Sequence, residues 1–387
     1  MTACLLLGLT SCHSEPAREN TMSPNQTLDS SQSSSTESET TPDWILTPTV
    51  ISNPRGSLVG AIRWDAWVGD MATFGDASSE NRVGLVVERT LGPKKWHYRL
   101  PFYALELGEN QVQVRGATQE IMDQEITFAA NAGLDYWAFV YYPPGSGLDE
   151  GRNLYLSSQH CNDINFSLVV DSPGRFLEPE TRKLLVDYFR MPNFQKVLDG
   201  RPLLYIFGNT GLTREGIDAL RADSLMSGLS SPYIVYMGWS PNEVKTNIVT
   251  YGLDAGSAYA HLGSNGQPFA ELALSAERGW DHDRRAGIKV VLWVTTGWDP
   301  RPRVEHPTPW VTYPENQWAQ AVTPSEIAAH LNKALQWNAQ YPKAAEANAV
   351  IIYAWNEFDE GGWLAPTLSE GDARLDAIRS ILTGVTK

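Results

Sequence analysis

The sequence predicts an α/β protein of the (β/α)8 barrel class with one long insertion after the first strand. Three observations lead there. Eight short runs of nearly unbroken apolar residues recur along the chain, segments of helical period separate them, and no run is followed by the glycine fingerprint of a nucleotide-binding turn. The runs are LVGAIRW (58–64), LDYWAFVYY (134–142), FSLVVD (166–171), PLLYIFG (202–208), PYIVYMG (232–238), AGSAYA (255–260), KVVLWVT (289–295) and AVIIYAW (349–355). A strand covered on both faces has no polar side to show, so such runs fit a parallel sheet better than a half-exposed antiparallel one. An open doubly wound sheet is the competing architecture, but GLTREGI (211–217) has glycines at the wrong spacing for it.

Helical segments lie between the runs, at 118–133, 178–191, 213–228, 268–287 and 323–341. Their ends carry their own signals. Thr323-Pro324-Ser325-Glu326 reads as an N-cap, a proline at the first helical position and an acid at the third, while Gly133 and Gly287 stand where a glycine closes a helix. The insertion, residues 68–116, is about fifty residues long and exceeds any ordinary strand-to-helix loop. Its aromatic stretch, Trp96, His97, Tyr98, Phe102 and Tyr103, is expected either to wall the C-terminal face of the barrel or to pack as a subdomain without ligand contact.

Composition limits the function. With 387 residues, 42 % hydrophobic and 19 % charged, the chain can bury a large core as one large domain or two smaller ones. Forty-five acidic against 30 basic residues give a formal charge of −15, which argues against an electrostatic grip on nucleic acid or anionic lipid. Fourteen Trp and 15 Tyr suit a polyhydroxylated ligand, because flat rings stack on a sugar face and offer a polar edge. Seven His are scattered without paired ligand spacing, so neither a metal nor another cofactor is expected.

The N-terminus reads as an address. LLLGLTSC (5–12) resembles a bacterial lipobox, which would make Cys12 the lipidated first residue of the mature protein. The Ser/Thr/Glu-rich stretch that follows cannot bury enough apolar surface to order itself and is expected to be a tether. Such a chain would be lipid-anchored in a bacterial cell envelope, on the periplasmic or outer surface, and monomeric. With Cys4 cleaved off and Cys12 lipidated, Cys161 would be a single, buried thiol.

Acids and aromatics converge at the strand exits. Arg63, Trp64, Asp65 and Trp67 stand at the first, Tyr141 and Tyr142 at the second, Asp171 at the third and Trp239 at the fifth. Tyr259 and His261 follow the sixth run and Trp298, Asp299, Arg301 and Arg303 the seventh. Trp355, Asn356, Glu357, Asp359, Glu360 and Trp363 cluster at the last. Glycoside cleavage needs one carboxyl group that keeps its proton and a second that stays ionised. Glu357 and Glu360, three residues apart on a tight turn, are candidates for that pair, since neighbouring carboxylates on a desolvated rim resist double ionisation.

Three segments resemble a known family. AWNEFDEGGWLAPT (354–367) is similar to the WNEW-x-EG-x-x-LEP signature of the WbsX-like group, relatives of glycoside hydrolase family 99, the endo-acting α-mannosidases and α-mannanases. GWDPRPR (297–303) is similar to that group's GWDNTPRR, and AGLDYWAFVYY (132–142) to its second strand. The resemblance implies a (β/α)8 hydrolase acting with retention on a mannan-like or related α-linked glycan. Glu357 would then draw the proton from the substrate's 2-hydroxyl, and Glu360 would serve as acid and later as base for water. Phe358, Asp359 and Pro300 depart from the family pattern, and the sugar could be mannose or another with a usable 2-hydroxyl.

The expected organisation is a lipoprotein-signal-like segment over 1–12, a tether over 13–45 and a catalytic domain over 46–387. A glycosyltransferase and a non-catalytic glycan-binding lipoprotein are the alternatives. The first would use Arg301 and Arg303 as a diphosphate clamp; the second would keep the aromatics and lose an acid.

Overall fold

The structure, a computed structural model, describes residues 56–69 and 82–384. The segments read as leader and tether, with Cys12, lie outside the described residues.

Eight parallel strands form the barrel: β1 (Leu58–Arg63), β2 (Tyr136–Val140), β3 (Asn165–Val170), β4 (Arg201–Phe207), β5 (Tyr233–Met237), β6 (Ala255–Ser257), β7 (Leu292–Thr295) and β8 (Ala349–Tyr353). From β1 to β6 each pairs in parallel with the next, β7 pairs with β8, and β8 pairs with β1, Leu58 opposite Ala349. A parallel bridge between Gly256 and Val290 joins β6 to the residues before β7, so the edges meet. All eight fall within or beside the apolar runs of the sequence, because both faces of every strand are covered. Inside the barrel the Tyr136 and Tyr205 hydroxyls share a hydrogen bond of 2.7 Å, and Gly60 leaves room for the Tyr136 ring, which a Cβ there would meet at 2.3 Å.

The helices are α1 (Val83–Thr90), α2 (Gln119–Asn131), α3 (Glu150–Ser157), α4 (Pro179–Arg190), α5 (Arg214–Met226), α6 (Pro241–Tyr251), α7 (Phe269–Arg285), α8 (Arg301–Glu305), α9 (Pro324–Gln340) and α10 (Ala373–Thr383). The Thr323 cap of α9 is a full capping box, with Glu326 accepting back from the Thr323 amide at 2.9 Å. Gly133 and Gly287 take positive φ, at 83° and 80°, as residues that end a helix do. Among the described residues no helix is long and apolar enough to cross a membrane.

The described part of the insertion holds α1, a 3-10 turn at Lys94–Arg99 and a hairpin pairing Leu105–Gly108 with Gln111–Gln113. Trp96 and His97 are buried in it; Trp96 Nε1 donates to Glu305 of α8 at 3.0 Å, and His97 Nε2 stands 2.7 Å from the Gly92 carbonyl. Cys161 is half-buried rather than fully buried, at the turn where its carbonyl accepts from Tyr155 and Asn193.

Asp283 on α7 is 3 % exposed, and burial alone pushes its carboxyl up to about 7. An acid whose folded value exceeds its unfolded one holds its proton more tightly when folded. The stability it contributes is complete below about pH 4 and is lost as pH rises through that raised value. Between about pH 4 and pH 8 the protein should therefore lose on the order of 4 kcal/mol of unfolding free energy that Asp283→Asn keeps. Urea melts across that range check this; parallel profiles for the two proteins would contradict it.

Candidate functional site

The site forms where β8 ends. Tyr353 closes the strand, Asn356–Glu357 turns back antiparallel onto Gly362–Trp363, and the hairpin tip is the 3-10 turn Phe358–Glu360, closed by Gly361 at φ 82°. A turn this tight places its carboxyls side by side. Gly297, at φ 128°, lets the β7 loop lie against the tip: a Cβ there would stand 2.3 Å from the Gly361 carbonyl. The Asp299 amide completes the contact by donating to the Glu360 carbonyl at 2.6 Å.

Glu357, Asp359 and Glu360 are 3 %, 0 % and 5 % exposed, so their charges must be met inside the protein. One arginine meets them. Arg303 of α8 grips Asp359 through Nε and Nη2 at 2.7 and 2.8 Å, donates to Glu360 through Nη1, and reaches Glu357 only at 3.4 Å. Thr90 adds a bond to Asp359 at 3.1 Å. Glu360 also accepts from the Tyr313 and Tyr353 hydroxyls, whereas among the described residues Glu357 accepts from one hydroxyl, that of Tyr259 at 2.9 Å.

The compensation is unequal, and this sets the protonation. Burial drives the Glu357 carboxyl well above its ordinary range, and the Glu360 charge adds to the effect; Arg303 and the Tyr259 bond offset only part of it. Burial also raises Tyr259, Tyr313 and Tyr353, which keep their protons and donate them.

Glu357 and Glu360 both line a cavity of about 110 Å³, room for several waters when one needs roughly 10–15 Å³. Six of the sequence-predicted binding residues line it with them: Trp64, Tyr142, Asp171, Trp239, Tyr259 and Trp298. Burial raises the Asp171 carboxyl, and the Tyr142 hydroxyl accepts from Trp64 Nε1 at 2.9 Å.

The remaining eight stand behind the wall. Asp65 pairs with Arg63 at 2.8 Å, and Trp67 donates to the Asn356 carbonyl at 2.7 Å. Tyr141 lies under the Arg152 guanidinium at 5.1 Å, and Trp355 donates to Glu125 at 3.0 Å. Asn356 accepts from the Trp64 amide at 3.0 Å, and Trp363 stacks under Arg374 at 3.6 Å. Asp299 is held by Arg99 and Arg301, and Arg301 lies over Trp318 at 3.6 Å. The reason is alternation: where a strand exit is still extended, neighbours such as Trp64 and Asp65, or Tyr141 and Tyr142, point to opposite sides, and only one can reach the cavity.

The insertion's aromatics also stand apart from the cavity lining. Trp96 packs against Arg99 at 4.7 Å, and Arg99 in turn holds the Asp299 carbonyl at 2.9 Å, so this stretch braces the β7 loop from outside. From the insertion, Val83 reaches the wall.

Sequence reasoning placed Arg303 on the rim without its role as the shared cation, and missed Tyr313, Trp310 and Tyr353. Tyr353 is an apolar-run residue by pattern, and 306–322 has no periodicity to read. Among the described residues no group of three or more His, Cys, Asp and Glu side chains is disposed to hold a metal ion.

The fold has a solved counterpart. It is similar to the glycoside hydrolase family 99 endo-α-mannosidase from Bacteroides thetaiotaomicron, with a TM-score of 0.54 and 14 % identity over 84 % of this chain and 96 % of that one. The same enzyme in complex with bis-tris-propane matches with a TM-score of 0.52 and 14 % identity, over 85 % and 97 % of the two chains. At this identity the likeness establishes the barrel. No protein-family profile matches the chain, and no curated protein sequence does.

Removing Arg303 should be far costlier than removing its neighbour. Arg303→Met strands the buried charges of Asp359 and Glu360 and is expected to cost about 3–5 kcal/mol. Arg301, whose side chain is 35 % exposed, should cost about 1 kcal/mol or less as Arg301→Met. Denaturant melts of the two variants check this, and equal losses would contradict it.

Proposed function

We propose that the protein is a glycoside hydrolase that cleaves an α-linked, mannan-like or related glycan with retention, using Glu357 and Glu360. The observation that carries the reading is the unequal pair on one cavity wall: Glu357 desolvated with one close donor, Glu360 with three donors aimed at its oxygens. That asymmetry favours the proton on Glu357, whose carboxyl burial raises, and so supports the division into acid and base that glycosidic cleavage requires. The three sequence segments similar to family 99 and the likeness to an endo-α-mannosidase barrel support the same reading. The lipobox-like leader and polar stretch support a surface-tethered, lipid-anchored form.

In the first step the bond from C1 to the glycosidic oxygen breaks as that oxygen takes the Glu357 proton. The 2-hydroxyl gives its proton to Glu360, and O2 closes on C1 to form a 1,2-anhydro sugar. Water then opens the ring at C1 while its proton returns to Glu357, and Glu360 gives its proton back to O2. Two inversions leave the configuration retained. This allocation is the reverse of the one the family resemblance implies, and it follows from which carboxyl lacks compensation. A sugar-nucleotide transferase draws less support: Arg303, the cation on the cavity wall, is committed to three carboxylates, and Asp281–Asp283 lies on α7.

Screening α-glycans and their aryl glycosides against Glu357→Gln and Glu360→Gln tests the reading. Both variants should lose about 10²–10⁴ in kcat/KM on substrates whose leaving group needs a proton. On a glycosyl fluoride, which departs without one, Glu357→Gln should recover to within about tenfold and Glu360→Gln should not. Rescue of Glu360→Gln instead would exchange the roles, and turnover of sugar nucleotides alone would point to a transferase. Because the donor must be protonated, kcat/KM of the parent protein should fall as pH rises through the raised Glu357 value. On the fluoride that alkaline limb should vanish; its persistence would count against Glu357 as donor.

A further inference from the structure

Glu357, Glu360 and Arg303 line the cavity, and Asp359, 0 % exposed, lies behind them in the same turn. Asp359 is one of the residues at which the turn departs from the family pattern, so the resemblance gives it no task. It nevertheless has the firmest hold on Arg303. Its two oxygens take Nε at 2.7 Å and Nη2 at 2.8 Å, a two-pronged pairing that fixes the plane of the guanidinium. Thr90 of α1, itself fully buried, adds a third bond to the carboxylate at 3.1 Å.

The consequence falls on the pair of glutamates. Nη1 donates to Glu360, whereas Nη2, taken by Asp359, stands 3.4 Å from Glu357. The guanidinium cannot turn toward Glu357 without loosening a buried, charge-assisted bond. Asp359 also brings a like charge to the pair, and a like charge disfavours ionisation of a neighbouring carboxyl. The other titratable groups around the pair are the hydroxyls of Tyr353 at the end of β8, Tyr259 and Tyr142 at the exits of β6 and β2, and Tyr313 before α9, with the Asp171 carboxyl on the same wall.

Resting on the hydrolase reading, we propose that Asp359 is a positioning residue: by holding two nitrogens of Arg303 it keeps the guanidinium off Glu357 and sets the pH at which the pair gives up its proton. In Asp359→Asn one negative charge is gone and the guanidinium is freed. Both changes favour the ionised glutamates, so the proton should leave at a pH lower by about one unit or more, the low end of the range for one neighbouring charge.

Two measurements test this on the parent protein, Asp359→Asn, Asp359→Ser and the charge-retaining Asp359→Glu, with urea melts to show which variants fold. One is kcat/KM against pH on an aryl α-glycoside that the parent cleaves. The other, independent of activity, is the pH midpoint of the protonated carboxyl infrared band that a glutamine substitution at Glu357 or Glu360 removes. An alkaline limb and a band midpoint lower by about one unit or more in the Asn and Ser variants, with the Glu variant closer to the parent, support the inference. A limb and midpoint unmoved in either folded, uncharged variant overturn it and leave the hydrolase reading standing. Folding of the Glu variant alone assigns Asp359 to stability and also overturns it. Should the parent cleave no glycoside, the hydrolase reading falls, and the band midpoint decides by itself: a shift supports the placing of Arg303 by Asp359, and no shift overturns it.

Discussion

Three carboxylates from one turn of chain, Glu357, Asp359 and Glu360, share the guanidinium of Arg303, and all four side chains are buried. Desolvating that many charges around one cation leaves the cluster short of positive charge. Two responses are open to it: draw in hydroxyl donors, or keep a proton. Glu360 takes the first, through Tyr313 and Tyr353; Glu357 draws one hydroxyl, that of Tyr259, and burial raises its carboxyl well above the ordinary range. The asymmetry of the pair is thus a consequence of how a deficit of charge is distributed, and Asp359, which claims two of the Arg303 nitrogens, helps create it.

Behind the wall the same device recurs at larger radius. Arg63 ties Asp65 to Glu125, Glu125 holds the Trp355 indole, Arg99 holds the Asp299 loop, and Arg374 grips the Trp363 carbonyl at 3.0 Å. Each is a buried cation whose donors end on an acid or a carbonyl near the hairpin Asn356–Trp363. The planar fork of arginine suits this, since it can hold two acceptors in fixed directions. The hairpin that carries the glutamates is thereby fixed from several sides, as a pair needing fixed orientation requires.

Much of this was legible in the sequence. The eight apolar runs became the barrel strands because burial on both faces leaves an unmistakable pattern, and Thr323 and Gly133 marked helix ends through local chemistry alone. Helix α6 escaped notice although Ser240-Pro241 and Glu243 carry the same cap signals as α9, because its apolar stripe is weak. Both glutamates reached the cavity, as a turn directly after a buried strand would place them. What could not be read was direction. Asp65, Trp67, Tyr141, Asp299, Arg301, Trp355, Asn356 and Trp363 stand at the rim in sequence yet face the supporting network, and side-chain alternation at a strand exit is set by register that composition does not carry. Arg303 and Tyr313 became central through long-range contacts, which leave no local trace.

The claim on which the rest depends is that burial makes the Glu357 carboxyl hold its proton above the ordinary glutamate range. Infrared difference spectra between the parent protein and each single glutamine variant address this directly, because a protonated carboxyl and a carboxylate absorb in separate regions. Glu357→Gln should remove a protonated carboxyl band that persists above the pH at which an ordinary glutamate has lost its proton. Loss of a carboxylate band from Glu357→Gln just above that pH would contradict it.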